Sequence, residues 1–350
     1  MVELRPYQQQ AREAVLSQWE QGNRKTLLVL PTGCGKTIVF SKVIEDQVRQ
    51  GGRALVLAHR GELLDQAADK LYQSTGLGCS VEKAEQSCLG SWYSVVVGSV
   101  QSLMRENRLK KFPHDYFDAI VVDEAHHVLA DSYQRVLEHF PRVNVLGVTA
   151  TADRGDKKSL GQYFDSLAFE YTLPAAIRDG YLCKIEAQTI PLKLDLTSVS
   201  ISQGDFKVSD LDTALDPYLY QIADEMVTAG CLARKTVVFL PLIKTSQKFA
   251  QILSDKGFSC CEVNGESEGR AEIIAAFDRG DFNALCNSML LTEGWDCPSV
   301  DCIVVLRPTK IRSLYAQMVG RGTRINPGKE NLLLLDFLWH TARHELCHPA

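Results

Sequence analysis

Short, almost uninterrupted aliphatic runs recur along the chain, and stretches with helical periodicity lie between them. A strand that is apolar at every position has no face it can show to water. Both faces must be covered, and the arrangement that does this is a parallel sheet flanked by helices. The first half supplies the strand candidates Thr26–Leu30, Arg53–Ala58, Ser94–Gly98, Ala119–Asp123 and Val143–Thr149, with helices expected over Lys36–Gln50 and Glu62–Tyr72. The pattern lapses between Lys193 and Asp216, where Ser, Gly and Asp displace the apolar runs. It resumes with strands Thr236–Leu240, Phe258–Val263, Ala284–Cys286, Cys302–Leu306 and Leu332–Leu335 and helices Lys244–Lys256, Arg270–Arg279 and Ser313–Val319. The expected fold class is α/β, as two tandem parallel-sheet domains over residues 1–190 and 217–350 joined over 191–216 by an irregular connector or small insertion. A length of 350 residues fits two domains at ~100–200 residues each.

Hydrophobic residues make up 45% and charged residues 23%, which excludes a disordered, collagenous or coiled-coil chain. The formal net charge of -5 excludes a uniformly basic coat, so a phosphate-binding surface must be a local groove. The 11 cysteines are odd in number and scattered, without a C-x-x-C pair, which offers neither a disulfide framework nor a four-cysteine zinc site. The first residues lack the apolar core of a signal peptide, and the run Leu332–Trp339 is broken by Asp336 and too short to span a bilayer. A reducing cytoplasmic setting without membrane contact is the expectation.

Between the first strand and helix lies Leu30-Pro-Thr-Gly-Cys-Gly-Lys-Thr37. Gly33 and Gly35 allow positive φ, so in the loop Pro31–Thr37 the backbone N–H groups from Thr32 onward, Cys34 among them, can turn toward an anion, and the helix that follows adds its dipole. Lys36 can reach the β- and γ-phosphates of a nucleotide, and the Thr37 hydroxyl can hold Mg²⁺. The strict pattern G-x-x-x-x-G-K-[ST] is broken only at its first position, where Leu30 stands. The strand Ala119–Asp123 runs into Glu124 and His126. A strand tip places Asp123 to hold Mg²⁺ through water, and Glu124 beside it is the natural base for an attacking water. His126 would connect the nucleotide site to the rest of the protein.

These two segments, in this order, resemble motifs I and II of superfamily 2 helicases and translocases. Leu4-Arg-Pro-Tyr-Gln8 resembles the adenine-recognition element of the branch that holds the restriction motors, the XPB-like helicases and the RadD-like proteins. Leu57-Ala-His-Arg60 and Val97-Gly-Ser-Val-Gln-Ser102 resemble the backbone-holding motifs, Thr149-Ala-Thr151 motif III, Val238-Phe-Leu240 motif IV, Leu291-Thr-Glu-Gly-Trp-Asp296 motif V, and Gln317-Met-Val-Gly-Arg-Gly-Thr-Arg324 motif VI. Together these motifs cover positions 4 to 324. The resemblance implies two tandem RecA-like domains with ATP in the cleft between them, and ATP and Mg²⁺ as cofactors. Arg5 and Gln8 would read adenine. Arg321 and Arg324 would be arginine fingers, on one face if their segment is helical. Gln317 would position the γ-phosphate or water, Asp296 would approach the ribose, and Gly294 would allow close backbone approach. Arg60, Gln101, Ser102 and Thr292 would grip a nucleic-acid strand, DNA rather than RNA. Thr149, Thr151 and His126 would couple hydrolysis to that grip. Trp295 would either stack on a base or sit in the core. RadD-like chains continue into a cysteine-rich zinc module; here His340, His344, Cys347 and His348 hold no complete ligand set and are read as a tail. The expected activity is therefore an ATP-dependent DNA helicase or translocase with a role in DNA repair or processing. A nucleotide-gated scaffold and a restriction-type translocase that does not separate strands are the alternatives. A P-loop kinase is disfavoured, because it has no use for the paired arginines of the second half.

Overall fold

The computed structural model describes residues 3–58, 61–83, 86–151, 160–192, 199–202, 205–288, 291, 295–309 and 311–337. The chain divides into two compact units, Met1–Thr172 and Leu173–Ala350.

In the first unit, seven strands form one sheet: β1 (Lys25–Val29), β2 (Ala54–Ala58), β3 (Cys79–Glu82), β4 (Val95–Ser99), β5 (Ala119–Asp123), β6 (Asn144–Thr149) and β7 (Ser166–Glu170). Their spatial order is β3-β4-β2-β5-β6-β1-β7 and every pairing is parallel. The central strands β2 and β4 are buried along their whole length, as their uniform apolarity requires. Parallel pairing brings all the strand C-termini to one edge, where the loops that carry chemistry gather. One face of this sheet packs on a core that includes Phe112, Phe117, Tyr133 and Phe140.

The helix Pro6–Glu20 was not expected from periodicity alone. Pro6 stands at its first turn, where the missing N–H costs nothing, and Tyr7, Ala11, Val15 and Trp19 recur every fourth residue on its buried face. The phosphate-loop helix Lys36–Arg49 buries Val39, Phe40, Val43 and Ile44.

The second unit holds a six-stranded sheet in the order β12-β13-β11-β14-β15-β8, again wholly parallel. Its strands are β8 (Lys184–Thr189), β11 (Thr236–Phe239), β12 (Cys260–Val263), β13 (Ala284–Asn287), β14 (Cys302–Val305) and β15 (Asn331–Asp336), while β9 (Ile201–Ser202) and β10 (Asp205–Phe206) form a separate antiparallel pair. One point differs from the sequence expectation: the division falls after Thr172, not at 190, because β8 pairs with β15 along its full length, from Asn331↔Lys184 to Asp336↔Thr189. Residues 191–216 fit the small insertion better than the plain connector: beside the β9–β10 pair they contain helix Val208–Leu215, with a small core of Val199, Phe206 and Leu211. Among the described residues no helix is long and apolar enough to cross a membrane.

Candidate functional site

The phosphate loop leaves β1 at the C-terminal edge of the first sheet. Gly33 and Gly35 have φ of 90° and 76°, the left-handed region the sequence required of them. Gly35 is also the N-cap of helix Lys36–Arg49 and makes no side-chain cap bond. The first N–H groups of that helix therefore have no acceptor within the helix and face the loop's concave side. A Cβ on Gly35 would sit 2.5 Å from Nε2 of Gln8, so the loop can close down on its neighbour only with glycine there.

Gln8 does more than border the loop. Its Nε2 donates to the Cys34 carbonyl at 3.0 Å, and its Oε1 accepts from the backbone N–H of Arg5 at 3.0 Å. The Tyr7 hydroxyl donates to the same Cys34 carbonyl at 2.9 Å, and its ring stacks on Tyr171 at 4.5 Å. Burial, with the Cys34 thiol beside it, pushes the Tyr7 phenol up to about 12, so it stays a donor at any working pH. Arg5 itself is exposed. Tyr7 is thus part of the site although the sequence offered it only as a motif letter. Pro31, Thr32 and Cys34 are buried, and Thr37 is half-buried at the first turn of the helix.

The acidic pair ends β5, two strands away across β6. Asp123 Oδ1 accepts from the backbone N–H of Glu124 at 3.0 Å. Glu124 has φ 55° and ψ 64°, and it is the sole non-glycine residue with positive φ among those described. This kink aims its carboxylate back over the sheet edge: Oε1 lies 3.7 Å from Lys36 Nζ and Oε2 lies 3.6 Å from His126 Nδ1. The lysine of the phosphate loop and the candidate base thus meet, with His126 on the far side of the carboxylate.

Thr149 sits beside Val29 in the β1–β6 register, and its carbonyl accepts from the N–H of Leu30 at 3.0 Å. Its hydroxyl donates to the Thr151 carbonyl at 3.0 Å. The coupling candidates Thr149 and Thr151 are therefore bonded to each other and to the root of the phosphate loop. Gln101 is exposed after β4 and accepts from the Ser99 hydroxyl at 2.8 Å. Ser102, the second candidate contact of this segment, is 7% exposed, so Gln101 is the more open of the two. Arg60, Thr292 and Gly294, and His340, His344, Cys347 and His348, lie outside the described residues.

In the second unit Gln317 is buried on helix Arg312–Gly320. The helix stops there, so Arg321 is its C-cap and Arg324 lies beyond it; the expected shared helical face does not form. Beyond the helix end, Gly322 lies so close to the sheet that a Cβ there would fall 2.8 Å from Cγ1 of Ile303 and closer still to Leu332. The Arg321 guanidinium donates to the Trp295 carbonyl, and Arg324 pairs with Asp296. Trp295 is 8% exposed and packs against Phe277 at 6.0 Å, which settles its place as core and not as a base-stacking surface.

The residues present suit a nucleotide that brings its own metal. Among those described, no group of three or more His, Cys, Asp or Glu side chains could hold a metal ion alone. Mg²⁺ is commonly bound through one or two carboxylates plus substrate phosphates, and Asp123 with the Thr37 hydroxyl at an uncapped helix start provides that sort of partial set.

Comparisons with known proteins identify the family. Residues 1–154 match the family described as "Type III restriction enzyme, res subunit", and residues 224–326 match the helicase conserved C-terminal domain. IRC3 of Saccharomyces cerevisiae, whose own assignment as an ATP-dependent helicase is provisional, is 32% identical over 96% of this chain and 51% of its own length. The Schizosaccharomyces pombe protein of the same name, described as mitochondrial, is 32% identical over 96% of this chain and 57% of its own length. A fragment structure assigned to an HsdR subunit of a type I restriction enzyme from Vibrio vulnificus YJ016 superimposes with a TM-score of 0.78 at 25% identity, covering 99% of this chain and 66% of that one. The chain spans about half the length of the curated relatives it matches.

Proposed function

The chain belongs to the superfamily 2 helicases, in the branch that includes the restriction motors, and its units are tandem RecA-like domains; from that premise we propose that it is an ATP hydrolase that converts nucleotide turnover into movement along DNA. The observation that carries this reading is the meeting of Lys36 and Glu124 at 3.7 Å, produced by a left-handed kink at Glu124. Backbone strain of this kind persists where the surroundings impose it, commonly at reacting centres. In this reading Lys36 and the backbone of residues 33–37 neutralise the phosphates. Glu124 orients and deprotonates the attacking water, with His126 beside its second oxygen. Mg²⁺, held with the nucleotide by Thr37 and Asp123, would neutralise charge on the β- and γ-phosphates. Arg321 and Arg324 add further positive charge at the γ-phosphate, with Gln317 on the same segment. Arg5 and Gln8 read the base, and Asp296 the ribose.

Gln101 and Ser102, with Arg60 and Thr292, are the proposed grip on the nucleic-acid backbone, and Thr149, Thr151 and His126 report the state of the phosphate loop to it. Such a grip is sequence-independent and weakens with salt. The free thiols of the described cysteines support work in a reducing compartment; cytoplasm is the proposed one, and processing or repair of DNA the proposed setting. A restriction-type translocase that does not separate strands is the second reading, kept because of the likeness to a restriction-enzyme subunit.

The test is ATP hydrolysis titrated with single-stranded DNA, duplex, forked DNA and RNA at one fixed salt concentration. Stimulation by DNA above that by RNA is expected. No stimulation by any of the four removes the motor reading. A triplex-displacement assay run beside a fork-unwinding assay then separates translocation from strand separation.

A further inference from the structure

The loop after helix Arg312–Gly320 carries Arg324, and no regular hydrogen-bond ladder fixes its shape. Lys329 reaches back across it. The ammonium lies 2.6 Å from the Gly322 carbonyl oxygen, 2.8 Å from that of Arg324, 2.5 Å from that of Val300 and 3.3 Å from that of Pro298. An ammonium offers three protons and accepts nothing, so four converging carbonyls saturate it. Among the described residues no carboxylate forms an ion pair with it. A lysine ordinarily keeps its charge in water; this one has exchanged water for backbone carbonyls. Burial pushes its pKa down, and the neighbouring Cys183 thiol and Asp301 carboxylate oppose that shift.

The four carbonyls belong to two segments. Pro298 and Val300 follow Trp295 and Asp296; Gly322 and Arg324 form the arginine loop. The same segments are joined by Arg321 to the Trp295 carbonyl and by Arg324 to Asp296. Those bonds use the very side chains proposed to act on the nucleotide, so they are exchanged when the arginines turn to phosphate. The Lys329 bonds touch backbone alone and need not change. The loop is also pinned from below, where the N–H of Cys183 donates to the Thr323 carbonyl at 2.8 Å.

We propose that Lys329 is a positioning residue for ATP hydrolysis: by tying the carbonyls of Gly322 and Arg324 to those of Pro298 and Val300, it fixes the backbone from which Arg324 works and its spacing from Asp296. This rests on the reading of Arg324 as a charge-neutralising group at the γ-phosphate. Removing the ammonium takes the donor from the carbonyl of buried Val300 and leaves that of buried Gly322 only the weak Cys183 thiol bond at 3.5 Å, and the loop relaxes to satisfy them. A displacement of about 1 Å at such a group costs on the order of 100-fold in rate.

The test compares steady-state ATP hydrolysis, with single-stranded DNA present, for the unaltered chain, Lys329→Met, Lys329→Arg, Arg324→Ala and the Lys329→Met/Arg324→Ala double variant. Binding stoichiometry and affinity for a fluorescent non-hydrolysable ATP analogue are measured alongside. The expected result is a kcat for Lys329→Met lower by roughly 10- to 100-fold, with KM and analogue stoichiometry little changed. Lys329→Arg should recover part of the loss, and the double variant should be no slower than Arg324→Ala. Near-normal kcat in Lys329→Met overturns the proposal. So does a parallel fall in kcat and stoichiometry, or a double variant slowed by the product of the single losses. Should Lys329→Met fail to fold, Lys329→Gln is judged by the same kcat-against-stoichiometry criterion. Normal turnover in Arg324→Ala would instead defeat the underlying reading of the arginine.

Discussion

Glu124 pays for its placement in backbone strain, and the strain can be measured. An L-residue in the left-handed region costs about 1–2 kcal/mol, whereas glycine escapes that cost but loses about 0.5–1 kcal/mol of chain entropy relative to alanine. Comparison with the unaltered chain is confounded, because any truncation also removes the contacts to Lys36 at 3.7 Å and His126 at 3.6 Å. Glu124→Gly and Glu124→Ala both remove those contacts, so the difference between them isolates the backbone. The two magnitudes leave the glycine variant more stable by about 1 kcal/mol, the reverse of the order found at ordinary helix and strand positions. For a cooperative unit of the size of Met1–Thr172, that is a melting temperature higher by roughly 2–4 °C. Scanning calorimetry of the two variants, without nucleotide and in the same buffer, reads the difference directly. If Glu124→Ala melts at or above Glu124→Gly, the kink is not strained and the argument drawn from it fails. Neither variant should hydrolyse ATP above background, so stability would rise where activity has been removed.

Glu124→Gln should retain ATP affinity and hydrolyse at least ~100-fold more slowly; an ATPase assay with near-normal turnover would take Glu124 out of the base role. Tyr7→Phe deletes one of the two donors to the Cys34 carbonyl and should destabilise the chain by about 1 kcal/mol, seen as a lower melting temperature. No loss would mean that the Gln8 bond alone holds the loop. Burial, aided at Cys88 by the Glu82 carboxylate and at Cys261 by the neighbouring Cys260, pushes both thiols up to about 12. They are protonated and unreactive at pH 8, so iodoacetamide should label them only after unfolding. Prompt labelling of either in the native chain contradicts its enclosure.

Most strands that the sequence revealed are buried on both faces, such as β2, β4 and β5, where packing demands apolar residues throughout; β12, at the margin of the second sheet, is the exception. Those it concealed are edge strands. β8 reads Lys-Ile-Glu-Ala-Gln-Thr and stays mostly exposed, so nothing in its composition separates it from a loop. β7 and β3, at the two margins of the first sheet, were hidden for the same reason. At the site, Lys36, Asp123 and Glu124 were legible because phosphate chemistry restricts residue type at short spacing. The Tyr7 bond to Cys34 and the Lys329 cluster were not, because each joins segments far apart in sequence through backbone carbonyls, which leave no trace in residue identity. The left-handed Glu124 was invisible too, since propensity assigns that conformation to glycine.

The position of β8 has a practical consequence for anyone dividing this chain. A second half begun at residue 191 would leave β15 at the margin of its sheet, with the backbone of Leu332–Leu335 unpaired along one side. Such a bare apolar edge is a template on which other molecules add strands. Insolubility of that half would then say nothing about whether the unit can fold. A cut after Thr172 keeps the edge covered by a short, polar, solvated strand that ends the sheet instead of extending it.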